Sequence, residues 1–128
     1  METKKGMKIA FFPGKFQPPH IGHILTISKL MKKYQIIIGI SPDRPRVISQ
    51  KEVKKIFQTI FENKVDYFIF DNTLTMYKEI NTFPYFDIIL TGNDEVISWA
   101  NRMKLENDKI PRSKCIGGCG TELRRVMK

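Results

Sequence analysis

The sequence alternates short runs of apolar residues with segments in which apolar residues recur every three or four positions. Four of the runs have the length of buried strands. They are Lys8–Phe12, Tyr34–Ile40, Val65–Phe70 and Phe86–Thr91. Strands that are apolar on both faces are typical of a parallel sheet that is covered by helices and connected by right-handed crossovers. The alternation therefore predicts an α/β protein built on a parallel sheet.

Helical spacing appears in three segments between or after these strands. Residues Ile21–Lys33 place their apolar side chains mostly three or four positions apart, as an amphipathic helix does. Ser49 is followed three residues later by Glu52, which is the pattern of a capping box that opens a second helix. A third helix is predicted over Asn93–Met103.

The remaining stretches carry weaker patterns. Residues 71–84 fit neither period, apart from one helical turn predicted at Tyr77–Ile80. A short fifth strand is predicted within Ile110–Ile116, and a terminal helix over Thr121–Met127. The single tryptophan, Trp99, lies in the third predicted helix and is expected in the core.

Length and composition indicate an ordinary globular chain of 128 residues, expected to form one domain over residues 1–128 with a flexible extension at residues 1–6. No apolar run approaches the ~18 residues that a membrane helix needs. The charged start, Met1–Lys5, is not that of a signal peptide. The two cysteines, Cys115 and Cys119, are too few for a zinc site, so reduced thiols in a cytoplasmic protein are expected.

The charge balance indicates an acidic partner. Lys and Arg number 22 against 13 Asp and Glu, a net charge of +9. Such a surplus suits nucleic acid, an anionic membrane or a polyphosphate substrate. The lysines are spread along the chain rather than gathered in one block, so most of them are expected on solvated helix faces.

The predicted fold also indicates where a ligand binds. In open α/β sheets, ligands lie outside the carboxyl ends of the strands, at the point where the strand order reverses. Three segments follow predicted strands and are expected at that edge. They are Pro13–His23, Ser41–Arg46 and Thr91–Asp94.

The segment Gly14–His23 carries the most informative chemistry. It joins the first strand to the first helix, where backbone N–H groups and the helix dipole favour an anion. His20 and His23 are three residues apart at the helix start, so both side chains lie on one face. Two imidazoles there can donate hydrogen bonds to a phosphate as negative charge develops on it. The alternative is a histidine pair that caps the helix or binds a metal ion.

Four segments resemble motifs of known enzymes. His20–His23 is similar to the signature of the H-x-G-H nucleotidyltransferase superfamily, which is cytidylyltransferase-like. Gly120–Arg125 resembles the element by which these enzymes hold the triphosphate. Together with Gly14–Pro18, the segment Tyr85–Asp94 looks most like the archaeal-type nicotinamide-mononucleotide adenylyltransferases. The resemblance implies a Rossmann-like three-layer sandwich with a five-stranded parallel sheet.

The resemblance also implies a reaction, in which a substrate phosphate attacks the α-phosphorus of a nucleoside triphosphate and pyrophosphate leaves. His20 and His23 would stabilise the reacting phosphorus, with Lys15 near the phosphates and Arg124 gripping the β- and γ-groups. The nucleotide-binding residues that it implies are Pro13, Gly14, Phe16, Gly22, Gly92, Asn93, Asp94, Gly120 and Thr121. Mg²⁺ is expected on the triphosphate, held by phosphate oxygens and water rather than by the protein.

The acceptor is less well defined by the resemblance. It is expected near Arg44, Arg46 and Tyr77, although the segment Pro45–Val53 lacks the terminal arginine of the archaeal family and Tyr77 stands where that family stacks a tryptophan. AMP transfer from ATP to a phosphorylated small molecule is favoured. The alternatives are CTP-dependent transfer to a sugar or polyol phosphate, and a catalytically silent nucleotide-binding module. A homo-oligomer is expected, and neither a membrane nor nucleic acid is expected as a partner.

Overall fold

A computed structural model describes residues 7–42 and 47–110. Within these ranges, strands and helices alternate along the chain. The elements are β1 (Lys8–Gly14), α1 (Ile21–Leu30), β2 (Tyr34–Ile40), α2 (Gln50–Phe61), β3 (Asp66–Ile69), β4 (Ile88–Thr91), α3 (Asp94–Arg102) and β5 (Asn107–Lys109), with one 3₁₀ turn at Leu74–Met76.

The five strands form one parallel sheet in the order β3-β2-β1-β4-β5. In the register, Ala10 of β1 lies beside Ile36 of β2 on one side and Ile88 of β4 on the other. The strand order therefore reverses at β1, and the crevice between the carboxyl ends of β1 and β4 is the topological switch point. The predicted α/β fold with a five-stranded parallel sheet is confirmed.

Helices cover both faces of the sheet, because side chains along each strand point alternately to opposite sides. On one face, Ile27 of α1 and Phe57 of α2 pack against Ala10 and its neighbours. On the other face, Trp99 of α3 packs against Phe11 and the 3₁₀ turn. Trp99 is only 2% exposed, so the prediction that it belongs to the core is confirmed.

The predicted capping box at the start of α2 is also confirmed. The Ser49 hydroxyl accepts a hydrogen bond from the N–H of Glu52 at 3.1 Å, and the Glu52 carboxylate accepts one from the N–H of Ser49 at 3.2 Å. Within the described residues, no helix is long and apolar enough to cross a membrane.

The bounds of β1, β3, β4 and α3 differ from the prediction by one or two residues, and three differences are larger. The first helix ends at Leu30, and the segment to Lys33 forms turns instead. The irregular stretch holds a 3₁₀ turn at Leu74–Met76 rather than a helical turn at Tyr77–Ile80. The fifth strand is Asn107–Lys109, a polar segment at the sheet edge that needs little burial and so leaves no hydrophobic signal.

The strand Asn107–Lys109 lies ahead of the predicted segment Ile110–Ile116 and was not predicted. Only Ile110 of the predicted strand is described, and its N–H still donates to the carbonyl oxygen of Thr91 at 2.9 Å. The remainder of that segment and the predicted helix Thr121–Met127 lie outside the described residues.

Candidate active site

The loop between β1 and α1, residues 15–20, begins at a close backbone approach. The ring of Phe16 folds back onto Gly14, where a Cβ atom would lie 2.7 Å from Phe16 Cζ. Any larger residue at position 14 would displace the ring. Phe16 itself has φ 52°, and its side chain is only 3% exposed. Phe16, expected from the resemblance to bind nucleotide, thus directs its ring into the core beneath the loop.

The two histidines form the N-terminal cap of α1. His20 is the N-cap residue, and its Nδ1 accepts a hydrogen bond from the N–H of Gly22 at 3.1 Å. His23, three residues on, accepts a hydrogen bond at Nδ1 from the N–H of His20, also at 3.1 Å. The pair is a capping box in which imidazole nitrogens replace the usual hydroxyl and carboxylate oxygens. Capping is the alternative to a phosphate-binding role in the sequence analysis, and this geometry allows both.

The capping bonds determine which nitrogen of each ring carries a proton. A nitrogen that accepts a hydrogen bond from a backbone N–H is unprotonated, so the capping form of each imidazole, in His20 and in His23, carries its one proton on Nε2. Each Nε2 is therefore a hydrogen-bond donor. The two rings stack with centroids 3.7 Å apart and planes 23° apart, which brings the two donors together at the helix N-terminus.

Packing holds His23 in this neutral state. Burial, and secondly the neighbouring His20, lower the pKa of His23 to about 4. Beneath it, the Phe16 ring meets His23 edge-on, with centroids 4.8 Å apart and planes at 86°. Phe57 of α2 contacts Phe16 in the same manner from below, at 4.9 Å. The orientation of His23 is thus supported by a column of aromatic rings that reaches into the core.

The carboxyl end of β4 borders the same crevice. The Thr91 hydroxyl accepts a hydrogen bond from the N–H of Asn93 at 3.1 Å, across Gly92. Asn93 is the N-cap of α3, and its side-chain oxygen accepts from the N–H of Glu95 at 2.8 Å. Asp94 forms an exposed ion pair with Lys109 at 2.8 Å. The structure therefore brings Gly92, Asn93 and Asp94 to the switch-point edge as predicted, with Asn93 engaged in capping.

On the other side of β1, the segment that follows β2 is hydrogen-bonded to the end of β1. The N–H of Ser41, which follows β2, donates to the carbonyl oxygen of Gly14 at 3.0 Å, next to Pro13 at the end of β1.

Gln17 accepts hydrogen bonds from the backbone thirty residues further along the chain. Sequence reasoning assigned Gln17 no role, because a linear pattern does not show such a partner. Lys15, between Gly14 and Phe16, is half-buried.

Tyr77 lies away from the histidine pair, beside the carboxyl end of β3. Its hydroxyl donates to the Asp71 carboxylate at 2.6 Å, and its carbonyl oxygen accepts from the indole N–H of Trp99 at 2.8 Å. The ring packs edge-on against Phe83, with centroids 4.9 Å apart. Burial, followed by the hydrogen bond to Asp71, raises the pKa of Tyr77. The ring is thus part of the aromatic cluster under α3, with its hydroxyl at the sheet edge.

Several predicted site residues cannot be placed. Arg44, Arg46, Gly120, Thr121 and Arg124 lie outside the described residues. Within residues 7–42 and 47–110, no three His, Cys, Asp or Glu side chains are grouped to hold a metal ion.

A parallel sheet with paired imidazole donors beside its switch point is the arrangement of a nucleotidyltransferase, and comparison with known proteins identifies the family. Residues 11–114 match the family described as cytidylyltransferase-like, and the chain belongs to that family. The resemblance drawn from the motifs is confirmed.

Curated relatives agree with this assignment. The nicotinamide-nucleotide adenylyltransferase of Sulfurisphaera tokodaii is 29% identical over an alignment 139 residues long, which covers 92% of this chain and 78% of that protein. The nicotinamide-nucleotide adenylyltransferase 1 of Sulfolobus acidocaldarius is 26% identical over 121 residues, covering 80% and 67% respectively. The nicotinamide-nucleotide adenylyltransferase of Pyrobaculum aerophilum is 47% identical over 32 residues, or 25% of this chain and 18% of that one.

Proposed function

We propose that the chain transfers AMP from ATP to the phosphate of a phosphorylated small molecule, with nicotinamide mononucleotide as the first candidate. The observation that carries the proposal is the stacked pair of histidines, each with its donor nitrogen Nε2, at the N-terminus of α1. The names of the similar adenylyltransferases support ATP over CTP as the nucleotide.

In the proposed reaction, an oxygen of the acceptor phosphate forms a bond to the α-phosphorus of ATP. The bond from the α-phosphorus to the bridging oxygen breaks, and that oxygen leaves on pyrophosphate with its electron pair. The attacking phosphate oxygen is already anionic, so no general base is needed. Catalysis then consists of positioning the reactants and neutralising charge.

His20 and His23 would donate from Nε2 to phosphoryl oxygens whose negative charge increases in the transition state. The N-terminal dipole of α1 acts in the same direction. Removing one such preorganised donor typically slows turnover by about 10²–10³-fold. Because both rings hold their proton on Nε2, they suit phosphate oxygens rather than a cation. We expect Mg²⁺ to enter with the triphosphate, coordinated by phosphate oxygens and water.

The other proposed contacts extend the site to either side of the histidines. Lys15 would lie near the phosphates, while Thr121 and Arg124 would hold the β- and γ-groups. Gly92, Asn93 and Asp94 would border the ribose and base. The acceptor would bind toward the ends of β2 and β3, near Arg44, Arg46 and Tyr77.

The test is a pyrophosphate-release assay with Mg²⁺, in which ATP and CTP are each paired with a panel of acceptors. The panel contains nicotinamide mononucleotide, sugar phosphates and polyol phosphates. We expect release with ATP and one acceptor only. Release with CTP and a sugar or polyol phosphate would establish the cytidylyltransferase alternative instead. No release from any pair, with nucleotide binding retained in calorimetry, would refute the proposed function. Sedimentation of the same sample tests the predicted homo-oligomer.

A further inference from the structure

The side chain of Gln17 connects two loops that are thirty residues apart in sequence. Its Oε1 accepts hydrogen bonds from the backbone N–H groups of Val47, at 2.6 Å, and Ile48, at 2.9 Å. Its Nε2 donates to the carbonyl oxygen of Lys15 at 3.4 Å. One half-buried amide therefore connects the β1–α1 loop to the backbone immediately ahead of α2, residues 47–49, which we term the α2 entry.

The α2 entry is itself held firmly to the sheet. Ile48 packs against the core cluster on that face, and Ser49 begins the capping box of α2. The next residue, Gln50, donates from Nε2 to the carbonyl oxygens of Ile40 at 2.9 Å and Phe70 at 2.8 Å. These carbonyl groups lie at the carboxyl ends of β2 and β3. The α2 entry is thus joined to the half of the sheet edge that lies away from β4.

We infer that Gln17 is a positioning residue, which sets the distance between the histidine pair and the acceptor half of the site. This inference rests on the proposed function, in which the acceptor binds toward the ends of β2 and β3. Gln17 lies three residues before His20 in the same loop, so the bonds that hold Gln17 also restrain the start of α1. The partners of Oε1 are backbone N–H groups, which have no rotamers by which they could turn away.

The expected effect follows from the geometry of in-line attack. The attacking oxygen must approach to within about 3–3.5 Å of the phosphorus, and a misplacement of about 1 Å can slow the reaction about 100-fold. Losing the Gln17 amide would release the β1–α1 loop from the α2 entry without removing any group that touches the phosphates. The acceptor would then bind less well and react more slowly, while ATP binding would change little.

Three variants test this inference, and Gln17→Met and Tyr67→Phe are compared in the pyrophosphate-release assay, with ATP and the acceptor that the wild-type protein uses. Gln17→Met keeps the length of the side chain and removes all of its hydrogen bonds. Gln17→Glu keeps the accepting oxygen, but it loses the donor to Lys15 and adds a negative charge, so it is compared by hydrogen exchange, where no anionic substrate is present. Tyr67→Phe is the matched control, because it removes one hydrogen bond, to the Glu62 carbonyl oxygen at 3.0 Å, at the opposite end of the sheet.

We expect Gln17→Met to raise the acceptor KM about tenfold and to lower kcat about tenfold, with the KM for ATP within about twofold of wild type. Tyr67→Phe should match wild type in kcat and in both KM values. Gln17→Met kinetics equal to those of Tyr67→Phe would overturn the inference. So would a change confined to the KM for ATP.

Hydrogen exchange supplies a readout that needs no substrate. The amide protons of Val47 and Ile48 should be protected in the wild-type protein and in Gln17→Glu, and should exchange at least about tenfold faster in Gln17→Met. Rapid exchange of both amides in the wild type would overturn the inference even if Gln17→Met did not fold. An inactive wild type would refute the proposed function, and the inference with it. An active wild type with an unaffected Gln17→Met would refute the inference alone.

Discussion

Replacing His20 by alanine or by asparagine separates two roles that its imidazole combines. Nδ1 caps α1 through the N–H of Gly22 at 3.1 Å, whereas Nε2 carries the proton proposed to reach the phosphates. Alanine removes both functions. The side-chain oxygen of asparagine occupies nearly the place of Nδ1, so His20→Asn keeps the cap, but its side chain is too short to replace the donor at Nε2.

The two variants should lose the same amount of kcat and should differ only in stability. Both lose the ring stacked on His23, and both should lose about 10²–10³-fold in kcat, the usual effect of removing one preorganised donor. His20→Ala also loses the capping bond and should be about 1 kcal/mol less stable than His20→Asn, since an N-cap substitution by alanine typically costs that much. For a chain of this length, the difference corresponds to about 4 °C in Tm.

Steady-state pyrophosphate release and calorimetric melting measure these two effects on the same samples. Near-normal turnover in His20→Asn would show that Nε2 is not the catalytic donor. Equal melting temperatures for the two variants would show instead that the Nδ1 cap contributes nothing, and the tautomer argument would lose its basis. Low turnover in both variants, with a higher Tm for His20→Asn, is the expected result.

Three further predictions concern stability. The pKa of His23 is lowered from 6.5 to about 4, so the unfolded chain binds more protons than the folded protein between these pH values. The free energy of unfolding should therefore fall by up to about 3 kcal/mol as the pH drops from 6.5 to 4. In urea unfolding, His23→Gln should show a flatter dependence of stability on pH. Gly39→Ala would place a Cβ atom 2.4 Å from Phe11 Cζ and should lower the free energy of unfolding by about 1–3 kcal/mol. In the Gly39→Ala/Phe11→Leu double variant, the loss of stability should be smaller than the sum of the two single losses. Additive losses in denaturant unfolding would contradict the packing argument. Ser49→Ala should cost about 1 kcal/mol by the same measurement through loss of the α2 capping box, and an unchanged midpoint would contradict that role.

The elements that sequence reasoning predicted well are those with a local cause. β2 has the predicted bounds, Tyr34–Ile40, because a continuous β-branched run has few alternatives to a buried strand. The start of α2 was predicted correctly because its capping box is a contact between residues three positions apart. β5 was not predicted because Asn107–Lys109 is polar, and its pairing with β4 depends on the sheet edge rather than on its own sequence.

The sequence by itself determined the alternation of strands and helices, the position of the His20–His23 segment after β1 and its resemblance to a nucleotidyltransferase motif. All of these depend on residue identity over short spans. Only the tertiary structure decided that the two imidazoles cap α1 through Nδ1, that the Phe16 ring lies beneath them, and that Gln17 binds the α2 entry. These features depend on where the fold brings side chains and distant backbone groups together, and a linear pattern carries no direct record of such contacts.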